Sequence, residues 1–158
     1  MAAKSSKPNK PSAAHRKLAI FVGTWRANGT SYAAGQRADD AKASTTPWRS
    51  TESFEWLPGE FFLLHRWDAT VGKQSFIGTE IFGYDEKAGG YFTRFFDNMG
   101  NHPEYRVTRK GRVWTFNEPN TRATVMFDRA GDRMELNWEW KNGRKWMPLC
   151  DIVAEKTK

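Results

Sequence analysis

Residues 103–145, PEYRVTRKGRVWTFNEPNTRATVMFDRAGDRMELNWEWKNGRK, decide the fold. Short segments rich in Val, Thr and aromatic residues are broken at Lys110-Gly111, Pro119-Asn120, Ala130-Gly131 and Asn142-Gly143, a spacing of roughly 8 to 12 residues that suits strands joined by tight turns. The same rhythm begins earlier, at Pro58-Gly59, Val71-Gly72, Gly89-Gly90 and Met99-Gly100. The fold class is therefore all-β, an antiparallel meander β-barrel of about ten strands. The strands are expected at 22–32, 46–57, 60–70, 73–84, 90–97, 103–109, 112–118, 121–128, 132–140 and 144–155. Only Ala13 to Phe21 reads as helical; with Leu18 and Phe21 three apart, it is placed to plug one barrel end.

Composition agrees. The 158 residues suffice for one domain and not for two cores of ordinary size. The apolar share is 39%, but 8 Trp, 11 Phe and 4 Tyr concentrate burial in a few large rings, which favour strands and argue against a helical bundle or a disordered chain. Mean hydropathy is −0.76.

The formal charge of +7 invites a nucleic-acid reading until its position is considered. Residues 1–17 hold Lys4, Lys7, Lys10, Arg16 and Lys17 with no acid, so the remainder sets 20 bases against 18 acids. The body is nearly neutral. Residues 1–12 read as a solvated, disordered basic tail, and 13–158 as a single barrel domain. No segment has the run of about 20 apolar residues of a membrane span, and no secretory signal opens the chain. A single cysteine, Cys150, permits no internal disulfide and reads as a small buried hydrophobe. A cytoplasmic location is expected. The 33–45 segment, AAGQRADDAKAST, reads as a surface excursion, with a lid over the barrel mouth as the alternative.

Alternation along the strands selects the inner faces. In 46–57, Trp48, Ser50, Glu52, Phe54 and Trp56 share one side, so Glu52 points inward among rings. In 60–70, Phe61, Leu63, His65 and Trp67 oppose a set ending in charges, so His65 points inward too, where Glu52 on the neighbouring strand can reach it. In 132–140, Met134, Leu136, Trp138 and Trp140 face the interior. The 90–97 strand has aromatics on both sides. Arg94 is an interior cation needing a carboxylate or anionic ligand if Phe92 and Phe96 are inside, and a surface residue if they are not.

Two resemblances add to this. The stretch Leu18 to Arg26, LAIFVGTWR, a helical turn entering Gly-Thr-Trp, looks like the opening of lipocalin-like (calycin) barrels, whose tryptophan packs across the closed end. The pattern FIGTEIFGYD from Phe76 to Asp85, followed by Gly90-Tyr91 and then Phe96-Asp97-Asn98-Met99-Gly100, resembles an uncharacterised family of bacterial lipocalin-like proteins. That resemblance runs from about Leu18 to the C-terminus; it implies the fold and a bacterial source and assigns no chemistry. Gly23-Thr24-Trp25-Arg26 with Gly29 and Tyr32 is also similar to the opening of nitrobindin-like barrels, which hold haem through a histidine near the C-terminal end. Here the last histidine is His102, and Trp146 to Glu155 contain none. No cofactor is expected; a haem would need His65 or His102 as its ligand.

Other chemistries find no support in the residue pattern. His15, His65, His102 and Cys150 lie too far apart for a zinc motif, and there is no nucleophile elbow, phosphate-binding loop or dinucleotide fingerprint. What remains is a set of interior polar groups among rings. The reading preferred is a binder of a small apolar or aromatic molecule carrying a polar or acidic group, held by Trp48, Glu52, His65, Trp67, Arg94, Trp138 and Trp140. The alternative is an isomerase, cyclase or lyase in which His65 and Glu52 transfer a proton. The expected partner is a small hydrophobic or aromatic molecule; a homodimer is left open, and neither a specific nucleic acid nor a membrane is expected.

Overall fold

The computed structural model describes residues 9–158. Helix α1 (Ala13–Lys17) continues as a 3₁₀ turn (Leu18–Phe21), and ten strands follow: β1 (Gly23–Ser31), β2 (Thr46–Trp56), β3 (Leu63–Val71), β4 (Gln74–Asp85), β5 (Gly90–Asp97), β6 (Glu104–Lys110), β7 (Val113–Asn117), β8 (Thr121–Phe127), β9 (Arg133–Asn142) and β10 (Lys145–Lys156). Each strand pairs antiparallel with the next, and β1 pairs with β10 to close the barrel. This is the expected meander. The tail expected over 1–12 falls mostly outside the described residues. Among them, no helix is long and apolar enough to cross a membrane.

The two ends of the barrel differ. Leu18 and Phe21 are buried, and Phe21 packs against Phe54, Phe82, Trp114 and Phe127 with ring centroids 5.0 to 5.4 Å apart. Trp25 is 1% exposed and donates its indole N–H to the Phe21 carbonyl at 2.8 Å, fixing the plug to the first strand. Large rings fill this closed end. Toward the other end the inner faces carry small residues, Ser31, Ser50, Ala69 and Cys150, and the interior opens.

Two sequence expectations are resolved at the open half. On β5, Tyr91, Thr93 and Phe95 turn inward, so Arg94 is not a ligand-binding residue of the interior. It stands on the outer face with Glu104 at 3.4 Å and His102 at 3.3 Å, and lies over the Phe96 ring. The reason is desolvation: outside, the guanidinium keeps its water and pairs with Glu104, whereas inside it would lose its hydration. The 33–45 segment is tied to β9 and β10. Gln36 donates to the Pro148 carbonyl at 2.6 Å and accepts from the Trp140 indole at 2.8 Å, and Lys42 reaches Asp151 at 3.1 Å. It does not line the cavity, which fits a surface excursion rather than a lid.

Candidate functional site

The open half holds a cavity of about 290 Å³ that is partly open to solvent. Its walls are largely rings, among them Trp48, Trp67, Phe76, Phe95 and Trp138. Trp67 lies stacked on Phe95, with centroids 4.6 Å apart and a 27° angle between planes. Gly78 on β4 makes this possible, because a Cβ there would fall 2.0 Å from the Trp67 ring. A larger concavity of about 810 Å³ lies on the outer side of β1 to β4, but it is open to solvent and edged by Arg26, Thr51, Arg66 and Asp68. The inner cavity, which holds the buried cluster of Glu52, His65 and Glu80, is the candidate site.

Its polar groups form one connected chain. The Trp48 indole N–H donates to Ser50 Oγ at 3.2 Å, and Ser50 donates to Glu52 Oε1 at 2.9 Å. Glu52 Oε2 lies 2.9 Å from His65 Nε2, and Glu80 Oε2 lies 3.2 Å from His65 Nδ1. The three side chains are only 7 to 12% exposed. Burial alone would push the His65 pKa down, but hydrogen bonds and charge from Glu52 and Glu80 outweigh it and hold the ring up at about 9. At neutral pH His65 is an imidazolium donating to one carboxylate from each nitrogen. The sandwich is closed from below by Phe54, whose ring lies 3.9 Å from His65 and within 4° of parallel.

One atom of the chain is left over. Glu80 Oε1 is fully buried and has no hydrogen-bond partner among the described residues, and the same holds for Trp67 Nε1. Each such group costs about 1–3 kcal/mol when unpaired. On the opposite wall, Tyr105 shares a 2.9 Å hydrogen bond with Thr121, which itself donates to Glu118 at 2.5 Å. Tyr105 is thus the donor of that pair, and burial raises its pKa to about 12. Cys150 is a free, buried thiol on the wall, pushed up to about 12 by burial with Asp151 adding to the effect.

The structure therefore brings Trp48, Glu52, His65, Trp67 and Trp138 to one cavity. Trp140 faces the same side but lies outside the lining, held by Gln36 at the mouth. Glu80 was missed by alternation, because β4 carries apolar residues on both faces. The signal was there in the hairpin: Val71 pairs with Gln74 across the Gly72-Lys73 turn, and counting back places Glu80 directly opposite His65. Neither histidine left as a haem ligand is suited to one, since both His65 nitrogens are engaged and His102 stands outside beside Arg94. Nor do the three acidic and imidazole groups converge on one point, as each ring nitrogen faces a different carboxylate. Among the described residues, no cluster of three potential ligands has the arrangement of a metal site.

A family described as "Protein of unknown function (DUF1579)" matches residues 10–105, well over half of the sequence. The chain belongs to this DUF1579 family. The matched stretch contains Glu52, His65 and Glu80 and stops short of Trp138. No curated protein matches the sequence. Among solved structures, the chain is similar to the S-type phycobiliprotein lyase CPES from Guillardia theta, at 11% identity and a TM-score of 0.57, over 93% of this chain and 94% of that one. It is also similar to the zebrafish ileal bile acid-binding protein complexed with cholic acid, at 12% identity and a TM-score of 0.54, over 87% of this chain and 99% of that one. At these identities the likeness concerns the fold, and this DUF1579 chain is a lipocalin-like barrel as its opening residues implied.

Proposed function

We propose that this DUF1579 protein binds a small, largely apolar or aromatic molecule inside its barrel. The observation that carries the reading is the pairing of a partly open cavity rich in aromatic rings with buried polar atoms that have no partner among the described residues, Glu80 Oε1 and Trp67 Nε1. Rings supply affinity through burial; the two atoms supply orientation. At about 290 Å³ the space lies at the small end of ligand cavities, which run from about 300 to 1,000 Å³, so the ligand is a compact one. The solved barrel of the zebrafish protein, complexed with cholic acid, lends support by analogy of fold.

Proton transfer is the weaker reading. A general base works best with a pKa near the operating pH, whereas two carboxylates hold the His65 proton in place up to about pH 9. Both nitrogens are also occupied, so neither is free to exchange a proton with a ligand.

Leu149 lines the cavity and is half-buried, so Leu149→Trp should fill space without breaking the barrel. Native mass spectrometry of the protein, alone and after exposure to compact aromatic alcohols such as 2-naphthylmethanol, should detect a one-to-one adduct that this variant loses while its circular dichroism is unchanged. An adduct retained by the filled variant, or none formed by either protein, would refute binding in the cavity.

A further inference from the structure

The polar group of the ligand can be specified further, on the reading that the cavity is the binding site. We propose that the cavity selects a ligand whose polar end donates a hydrogen bond, a hydroxyl or an amine, received by Glu80 Oε1, and that it discriminates against carboxylates. Three observations carry this. First, among the described residues no Lys or Arg lines the cavity, and Arg94, the cation the sequence offered, stands outside. Second, the buried cluster sets two acidic side chains, Glu52 and Glu80, against a single imidazole, His65. An anionic ligand entering it meets a like charge in a low-dielectric site, where such repulsion is strongest.

Third, the hydrogen-bond accounting leaves one buried carboxylate oxygen of the cluster without a partner. Both Glu52 oxygens are used, by Ser50 and His65; one Glu80 oxygen is used by His65; only Glu80 Oε1 is free. An ionised carboxylate oxygen accepts and cannot donate, so its complement must bring the proton. Trp67 Nε1, a buried donor on the wall with no partner among the described residues, suits the lone pair of a hydroxyl. Among the described residues no other acidic or basic side chain lines the cavity, and burial keeps Tyr105 from β6 neutral at physiological pH. The cholic acid of the zebrafish complex is itself an acid, so this chain's preference is set by its own interior charge and not by the shared fold.

A matched probe set tests this: 2-naphthylmethanol, 2-naphthylmethylamine and 2-naphthoate at pH 7, by titration calorimetry against the wild type and Glu80→Gln. The alcohol and the amine should bind at least about tenfold more tightly than the naphthoate, a difference of about 1.4 kcal/mol. Glu80→Gln, which removes one negative charge and keeps the shape, should narrow that ratio severalfold with the fold retained by near-ultraviolet circular dichroism. If all three probes bind alike, or if naphthoate binds best, cavity binding stands and donor selection is wrong. Unchanged discrimination in folded Glu80→Gln overturns the assignment to Glu80. If none binds, the cavity reading and this inference fall together.

Discussion

Phe54 on β2 and His65 on β3 are register partners whose rings lie face to face, 3.9 Å apart and 4° from parallel. Phe54 also touches Phe21 and Phe82 of the plugged end, while His65 carries Glu52 and Glu80. The pair is the junction between a solid aromatic core and a polar cavity floor. A cationic imidazole on a ring face gains from the ring's negative face, so the same contact helps keep His65 charged.

The first prediction is a pH effect on stability. The folded pKa of His65, about 9, lies above its ordinary value of 6.5. The folded state therefore holds a proton that the unfolded chain releases, and stability must fall as pH rises between those values. The full contribution is present below about pH 6.5 and is gone above about pH 9, with an upper size of roughly 3 kcal/mol. Thermal unfolding from pH 6 to pH 10 should show a declining Tm for the wild type, with a much flatter profile for a variant in which Glu52, His65 and Glu80 are all replaced by Gln. Equal slopes in the two proteins would remove His65 from the explanation.

The second concerns His65→Ala. Removing the imidazolium leaves Glu52 and Glu80 buried without their shared cation, which costs about 3–5 kcal/mol for a broken buried pair. Denaturant unfolding should record that loss at pH 7. A variant as stable as the wild type at pH 7 would show that the cluster is not charged as described.

Trp25→Ala should cost about 3–5 kcal/mol through lost burial and the cavity it leaves. The indole bond to the Phe21 carbonyl is lost as well, loosening the plug from β1. Because Trp25 does not line the ligand cavity, ligand affinity measured on the remaining folded protein should fall far less than stability. A large affinity loss with little change in unfolding free energy would invert the assignment.

The barrel was legible because turns are local chemistry: Gly111, Gly131 and Gly143 sit at positive φ in the expected hairpins, and strand spans follow from where such turns fall. The Glu52–His65 contact was legible for the same reason, since strict alternation on β2 and β3 turned both inward. Glu80 was not, because Phe76, Glu80 and Phe82 compete with Ile77 and Ile81 on a strand apolar on both faces, and only the register of the β3–β4 hairpin singles it out. Arg94 was undecidable from alternation, as Phe92 and Phe96 flank it outside while Tyr91 and Phe95 face inward. Its Glu104 partner comes from register between β5 and β6, information that periodicity does not carry.

A crystal structure of the complex with 2-naphthylmethanol tests the central claim most directly. The aromatic body should lie between Trp48, Trp67 and Trp138, with the hydroxyl within hydrogen-bond distance of Glu80 Oε1. A ligand seated on the outer face of β1 to β4, or one in the cavity with its hydroxyl turned away from Glu80, would contradict the account.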